Sequence, residues 1–304
     1  MTVQPPDDLF EIYSEDIPPG LVLIHNLTGF LDAGAAGGLA VNHLLTTLES
    51  EVVVRFDIDA LFDYRARRPR MTFLGDHYGQ IDMPDLVISM LRDQTGTPFL
   101  LMHGPEPDFG WRRFSAAVEE VVTELDINLV LGMHAVPWPA PHTRPIGVTV
   151  HSADPVLLAG RQPWVGDLEV PGHVAGLLEI TLDAAGHRSM GFVAHVPHYL
   201  SASEHPSSSV ALLENVIAQT GLALPLDVLR EAARRNDVEI NAQVQGSDEN
   251  GEAVSMLEAQ FDALIATRGA DLTLLDQTDL PSGDDIAAQV EQFLAQRDAH
   301  GNDS

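Results

Sequence analysis

The apolar positions fall into short, nearly continuous runs separated by stretches of helical periodicity. Residues 21–27 are apolar almost throughout, which predicts a strand covered on both faces. A turn over residues 28–34 follows, and Ala35, Ala36, Gly37, Gly38 and Ala40 open a helix able to lie close on the sheet. Residues 51–57 read as the next strand. Residues 86–92 and 97–103 flank Asp93-Gln94-Thr95-Gly96 and predict a β-hairpin, so the sheet is mixed. A helix is expected from residue 108 or 109 to about 125, with Trp111, Phe114, Val118, Val121, Val122 and Leu125 on one stripe. Strands over 127–133, 146–151 and 189–196, with helices over 171–185 and 207–220, complete an α/β layered domain with a largely parallel sheet.

Residues 221–304 differ. They lack clear strands, look helical over 224–235 and 251–267, and carry 17 acids against five arginines. The expected organisation is therefore a core domain over 1–220 and an acidic helical appendage over 221–304, whose last residues, 297–304, form a disordered tail.

Charge narrows the chemistry. Sixteen basic residues against 45 acidic ones give a net charge of −29, a field that repels nucleic acid and anionic membranes. Every base is arginine. The lack of lysine removes Schiff-base chemistry, pyridoxal phosphate attachment and the phosphate-gripping lysine of a P-loop. The lack of cysteine removes disulfides and thiolate chemistry and suits a cytoplasmic location. No run approaches the ~18 apolar residues of a membrane span, and the first eight residues do not read as a signal peptide. A soluble protein without cofactor is expected.

The candidate chemistry gathers where strands end. Asp32 stands just before a helix, where it can cap that helix or point into the crevice in which open α/β sheets keep ligands. The glycine-rich turn matches neither dinucleotide nor P-loop spacing, and tight helix packing accounts for its small residues. Arg65, Arg67, Arg68 and Arg70 follow Asp57, Asp59, Asp63 and Tyr64; an ion-pair network is favoured there over an anion site. Six histidines (His25, His103, His134, His142, His195 and His198) could gather at one sheet edge beside Asp57, Asp59, Glu106 and Asp108. No metal-ligand spacing or nucleophile elbow supports a metal or hydrolytic site, so none is expected. Trp111, Trp138 and Trp164 divide between core packing and interface.

Several stretches together carry a resemblance. They are residues 29–34, 56–59 with Asp63-Tyr64-Arg65-Ala66-Arg67-Arg68-Pro69, residues 103–108 with Trp111, Pro141-His142-Thr143-Arg144-Pro145, residues 196–200, and Leu257-Glu258 with Phe261-Asp262. In these the chain resembles the actinobacterial branch of the proteasome assembly chaperone family, relatives of the second eukaryotic chaperone. The resemblance implies a three-layer α/β/α fold akin to phosphorylases and peptidyl hydrolases, and a homo-oligomer, in this branch a trimer. It further implies a non-enzymatic module that binds proteins such as proteasome subunits. The alternative is an enzyme holding a small anionic substrate in the strand-end crevice with Asp32, Arg65, Arg67, Arg68, His142 or Arg144, since arginine grips phosphate or carboxylate with two donors. An ATP-grasp activity stands lowest, because such enzymes grip phosphates with lysine.

Overall fold

The computed structural model describes residues 9–14, 16–160 and 167–268. In chain order it runs β1 (Phe10–Ile12), β2 (Val22–Thr28), α1 (Ala36–Thr47), β3 (Ser50–Phe56), β4 (Met71–Leu74) and β5 (His77–Ile81). Next come β6 (Val87–Arg92), β7 (Pro98–Pro105), α2 (Trp111–Glu124), β8 (Leu129–Trp138) and β9 (Val148–His151). The chain then forms α3 (Val174–Ala184), β10 (Ser189–Pro197), α4 (Pro206–Thr220), α5 (Asp227–Gln245) and α6 (Asp248–Arg268). The predicted tail and Trp164 lie outside the described residues.

Eight strands form one sheet in the order β1-β3-β6-β7-β2-β8-β10-β9. The centre, β7-β2-β8-β10, is parallel, while β6, β1 and β9 run against it. The sheet is thus mixed and largely parallel. The predicted hairpin is β6–β7, paired from Val87↔His103 to Arg92↔Pro98. Helices cover both faces. Alternate residues of one strand enter opposite cores, as the two-residue pleat requires: Ile24 packs with α1 and α4, Leu23 with α2 and α3. The result is a three-layer α/β/α fold.

Local sequence explains the helix ends. Gly34 and Ala35 both take left-handed backbone, φ 65° and 49°, which turns the chain from the end of β2 into α1. Gly37 then lets α1 approach, because a Cβ there would stand 2.0 Å from Asn26 Nδ2. α4 begins at Pro206 and ends on Gly221 at φ 73°.

Three features differ from the sequence reading. β8 continues past residue 133 to Trp138, because Val136, Pro137 and Trp138 pair with His195, Val196 and Pro197 of β10. Its proline, Pro137, is tolerated because the ladder is ending. The second feature is the hairpin β4–β5, whose Gly75-Asp76 loop is a hairpin signal that sequence reading passed over. The third lies after Gly221: Leu222, Leu224, Leu226 and Leu229 are buried in the same apolar layer as α1 and α4. Asp93 fastens this segment by accepting the Ala223 N–H at 2.8 Å.

Candidate functional site at the strand ends

The four parallel strands deliver their carboxyl ends to one edge of the sheet. Asp32 lies there, bridged to Ala135 of β8. Its carboxylate accepts the N–H groups of Gly37 at 2.6 Å and Gly38 at 3.2 Å, at the start of α1. Burial pushes its pKa up against these two hydrogen bonds. Glu106, just past β7, does the same for α3: its Oε1 accepts the Val174 N–H at 2.9 Å. Oε2 lies over Gly29, where a Cβ would stand 2.6 Å away. An anion is the natural occupant of a helix N-terminus. At both of these termini the protein supplies its own.

The arginine stretch divides. Arg67 donates to the Glu106 carbonyl at 2.8 Å and to Asp108 at 2.6 Å, and its guanidinium lies 4.2 Å over the Phe62 ring. Burial opposes ionisation of Asp108, but the Asp63 amide and Arg67 outweigh it and hold the carboxyl below its ordinary value. Trp111 Nε1 donates to the Pro107 carbonyl at 2.7 Å. Within one chain the described residues form no ion pair between these arginines and Asp57, Asp59 or Asp63, because those acids have nearer donors. Asp57 accepts from the Asp59 N–H, Asp59 from Tyr64 Oη at 2.6 Å, and Asp63 from the Arg65 and Ala66 amides. The hydrogen bond to Asp59 pushes the Tyr64 phenol up to about 12. Arg65, Arg68 and Arg70 are exposed and make no hydrogen bond or ion pair through their side chains among the described residues. Arg68 and Arg70 line a groove of about 440 Å³ with Phe62, Asp82 and Met83.

The loop between β8 and β9 faces the C-terminal helices instead. Tyr199 Oη accepts the His142 N–H at 2.8 Å and meets His142 Nδ1 at 2.7 Å, while His142 Nε2 reaches Asn241 of α5 at 3.4 Å. Burial is the main reason the Tyr199 phenol rises to about 12. Arg144 forks onto Asp262 of α6, Nε–Oδ1 2.8 Å and Nη2–Oδ2 2.6 Å, and Nη1 lies 3.2 Å from Glu258. Residues 141–145 and 257–262, both among the stretches that carry the family resemblance, are thus partners in space. His198 is half-buried beside Tyr199, ring centroids 5.3 Å apart, and burial lowers its pKa.

No hydrogen bond or ion pair among the described residues joins Asp32, Arg68, His142 and His198 to one another. The six histidines that could have gathered at one edge are spread over several places instead. His103 bonds Ser89, and His195 bonds Thr149 and stacks on Trp138 at 3.9 Å. His25 and His134 meet on the face covered by α3, together with His173 and His151, which sequence reading did not select. Among the described residues no cluster has the arrangement of a metal site, and no helix is long and apolar enough to cross a membrane.

Fold and edge together define a class: a three-layer α/β/α protein whose strand-end helix termini are closed by internal carboxylates. More particularly, the chain belongs to the PAC2 family, whose sequence model matches residues 26–244. Among solved structures it is similar to the Mycobacterium tuberculosis protein Rv2714, of unknown function, at 43% identity and TM-score 0.81 over 86% of this chain and 90% of that one. A Corynebacterium glutamicum protein of unknown function is 32% identical, TM-score 0.81, over 86% of this chain and all (100%) of that one. The M. tuberculosis proteasome-assembly chaperone homologue Rv2125 is 28% identical, TM-score 0.71, over 77% and 100%. No curated protein matches.

Proposed function

We propose that the protein is a non-enzymatic, homo-oligomeric binding module, a trimer, that engages protein partners such as proteasome components from the cytoplasm. The observation that carries this reading is the β4–β5 hairpin. Every residue from 71 to 81 is exposed, and Met71, Phe73, Leu74, Tyr78, Ile81 and Met83 are 45–73% exposed. An isolated two-stranded hairpin is marginal in water, and an apolar patch of this density marks an interaction surface. Arg65, Arg68 and Arg70 stand exposed at its base in a chain of net charge −29, so charge also favours a second copy as occupant. The proteasome connection is supported by the relative Rv2125. The competing reading, an enzyme gripping an anion at the strand ends, loses support because Asp32 and Glu106 occupy both helix termini there.

Solution mass tests this directly. The wild-type chain is expected at three times its chain mass by light scattering, and Phe73→Asp with Tyr78→Asp at one, with unchanged circular dichroism. Equal masses would sink the hairpin as the oligomer contact. Co-purification with proteasome subunits, reduced by Arg68→Ala, is the expected partner result; loss of neither would remove the arginines from the interface.

A further inference from the structure

The face of the sheet beneath α3 carries four histidines. His25 of β2 and His134 of β8 are each 5% exposed, and their rings meet edge to face at 5.6 Å. His173, at the head of α3, lies 6.2 Å from His134, and His151 of β9 contacts Glu179 of α3 at 3.1 Å. Two glycines make room for the rings. A Cβ on Gly132 would stand 2.6 Å from His134 Nε2, and one on Gly191 2.3 Å from the His151 ring. His25 Nδ1 is sealed from solvent and has no hydrogen-bond partner among the described residues.

Counter-charge is short. Among the described residues, Glu179 from α3 and Glu106 from the β7–α2 connection are the carboxylates that act on the cluster, and Glu106 already holds the Val174 amide. α2, packed beside α3, directs Glu119 to His187 instead. Protons added to His25, His134 and His173, this close together, repel one another with little compensation.

The cap of α3 is itself one of these rings. His173 Nδ1 accepts the Gly176 N–H at 3.0 Å. It can do so only while that nitrogen keeps its lone pair; protonation turns the acceptor into a donor and sets a positive charge at the positive end of the helix. The chain leading into α3, residues 167–172, is irregular and exposed, so α3 can move without breaking another element.

We propose that α3 is an acid-released element: on acidification the state with α3 lifted from the sheet accepts protons on His25, His134 and His173 that the packed state resists, so the His173 cap is lost and Val174, Leu178 and Leu182 are exposed. This stands independently of the hairpin reading. Hydrogen–deuterium exchange on the full chain tests it, with protection factors corrected for the intrinsic pH dependence. Protection over 174–184 is expected to fall about tenfold or more between about pH 7 and about pH 5, and by a larger factor than protection over β2, β7 and β8. His173→Asn supplies a cap that does not titrate, and is expected to keep α3 protected at the lower pH. Constant protection of α3 across this range would overturn the proposal. So would a loss shared equally by the central strands, or the same loss in His173→Asn as in the wild type.

Discussion

Arg67 and Arg68 are neighbours of one type, and the structure gives them opposite roles. Arg67 ties the loop to Glu106, Asp108 and Phe62, whereas Arg68 reaches no partner among the described residues. Arg67→Ala is expected to cost about 1–3 kcal/mol in urea unfolding, because the Glu106 carbonyl and Asp108 lose their donor, while Arg68→Ala stays within about 0.5 kcal/mol. Equal costs would show that the Arg67 contacts do not matter to the fold. Asp93 offers a sharper case. Burial alone would raise its pKa, but donors from Ala223, Thr95 and Thr97 hold it at about 2. A depressed carboxylate contributes fully above its ordinary value of 3.8 and loses the contribution as pH falls toward 2. Asp93→Ala is therefore expected to destabilise the protein by about 2–3 kcal/mol at neutral pH, with the gap to wild type closing in acid. Sequence reading marked Asp93 only as a turn residue, since its partner at Ala223 lies 130 positions away.

Among the elements, α6 is tied to the β8–β9 loop by side chains of that loop, Arg144 and Thr143. The Arg144 fork onto Asp262 and Glu258 joins it to the β8–β9 loop, alongside its packing on α5. The hydrogen bond from Arg144 also lowers the Asp262 pKa, so this contact is complete above the ordinary carboxylate range and weakens below it. Arg144→Ala is expected to raise amide exchange over 248–268 while α1 and α4 are unchanged; an unaffected α6 would show that packing on α5 suffices. The strands and helices of the core were legible because their signals are local: apolar runs, a proline start, a glycine stop. The β4–β5 hairpin escaped notice although its loop is written in Gly75-Asp76, because its apolar residues face water and do not alternate between core and solvent.

For the whole molecule, buried neutral histidines set the response to acid. Burial lowers His25 and His205 to about 4 and His195 to about 3. For a base with a depressed pKa, the folded state resists protons that the unfolded chain accepts. Its stability is full above about 6.5 and is lost as pH falls toward 4 and 3. The calorimetric midpoint is accordingly expected to be flat from about pH 8 to about pH 7 and to drop by several degrees by about pH 5; a constant midpoint would contradict this account. The sequence by itself determined the order of elements, the layered α/β class and the family, because periodicity, caps and motif stretches are properties of neighbouring residues. Only the tertiary structure decided which arginine is internal, that Asp32 and Glu106 close the helix termini, and that His25, His134, His151 and His173 share one face. It also joined Arg144 to Asp262 across 118 positions. Such pairings follow from how the sheet and its two helical layers bring distant residues together, which no local pattern records.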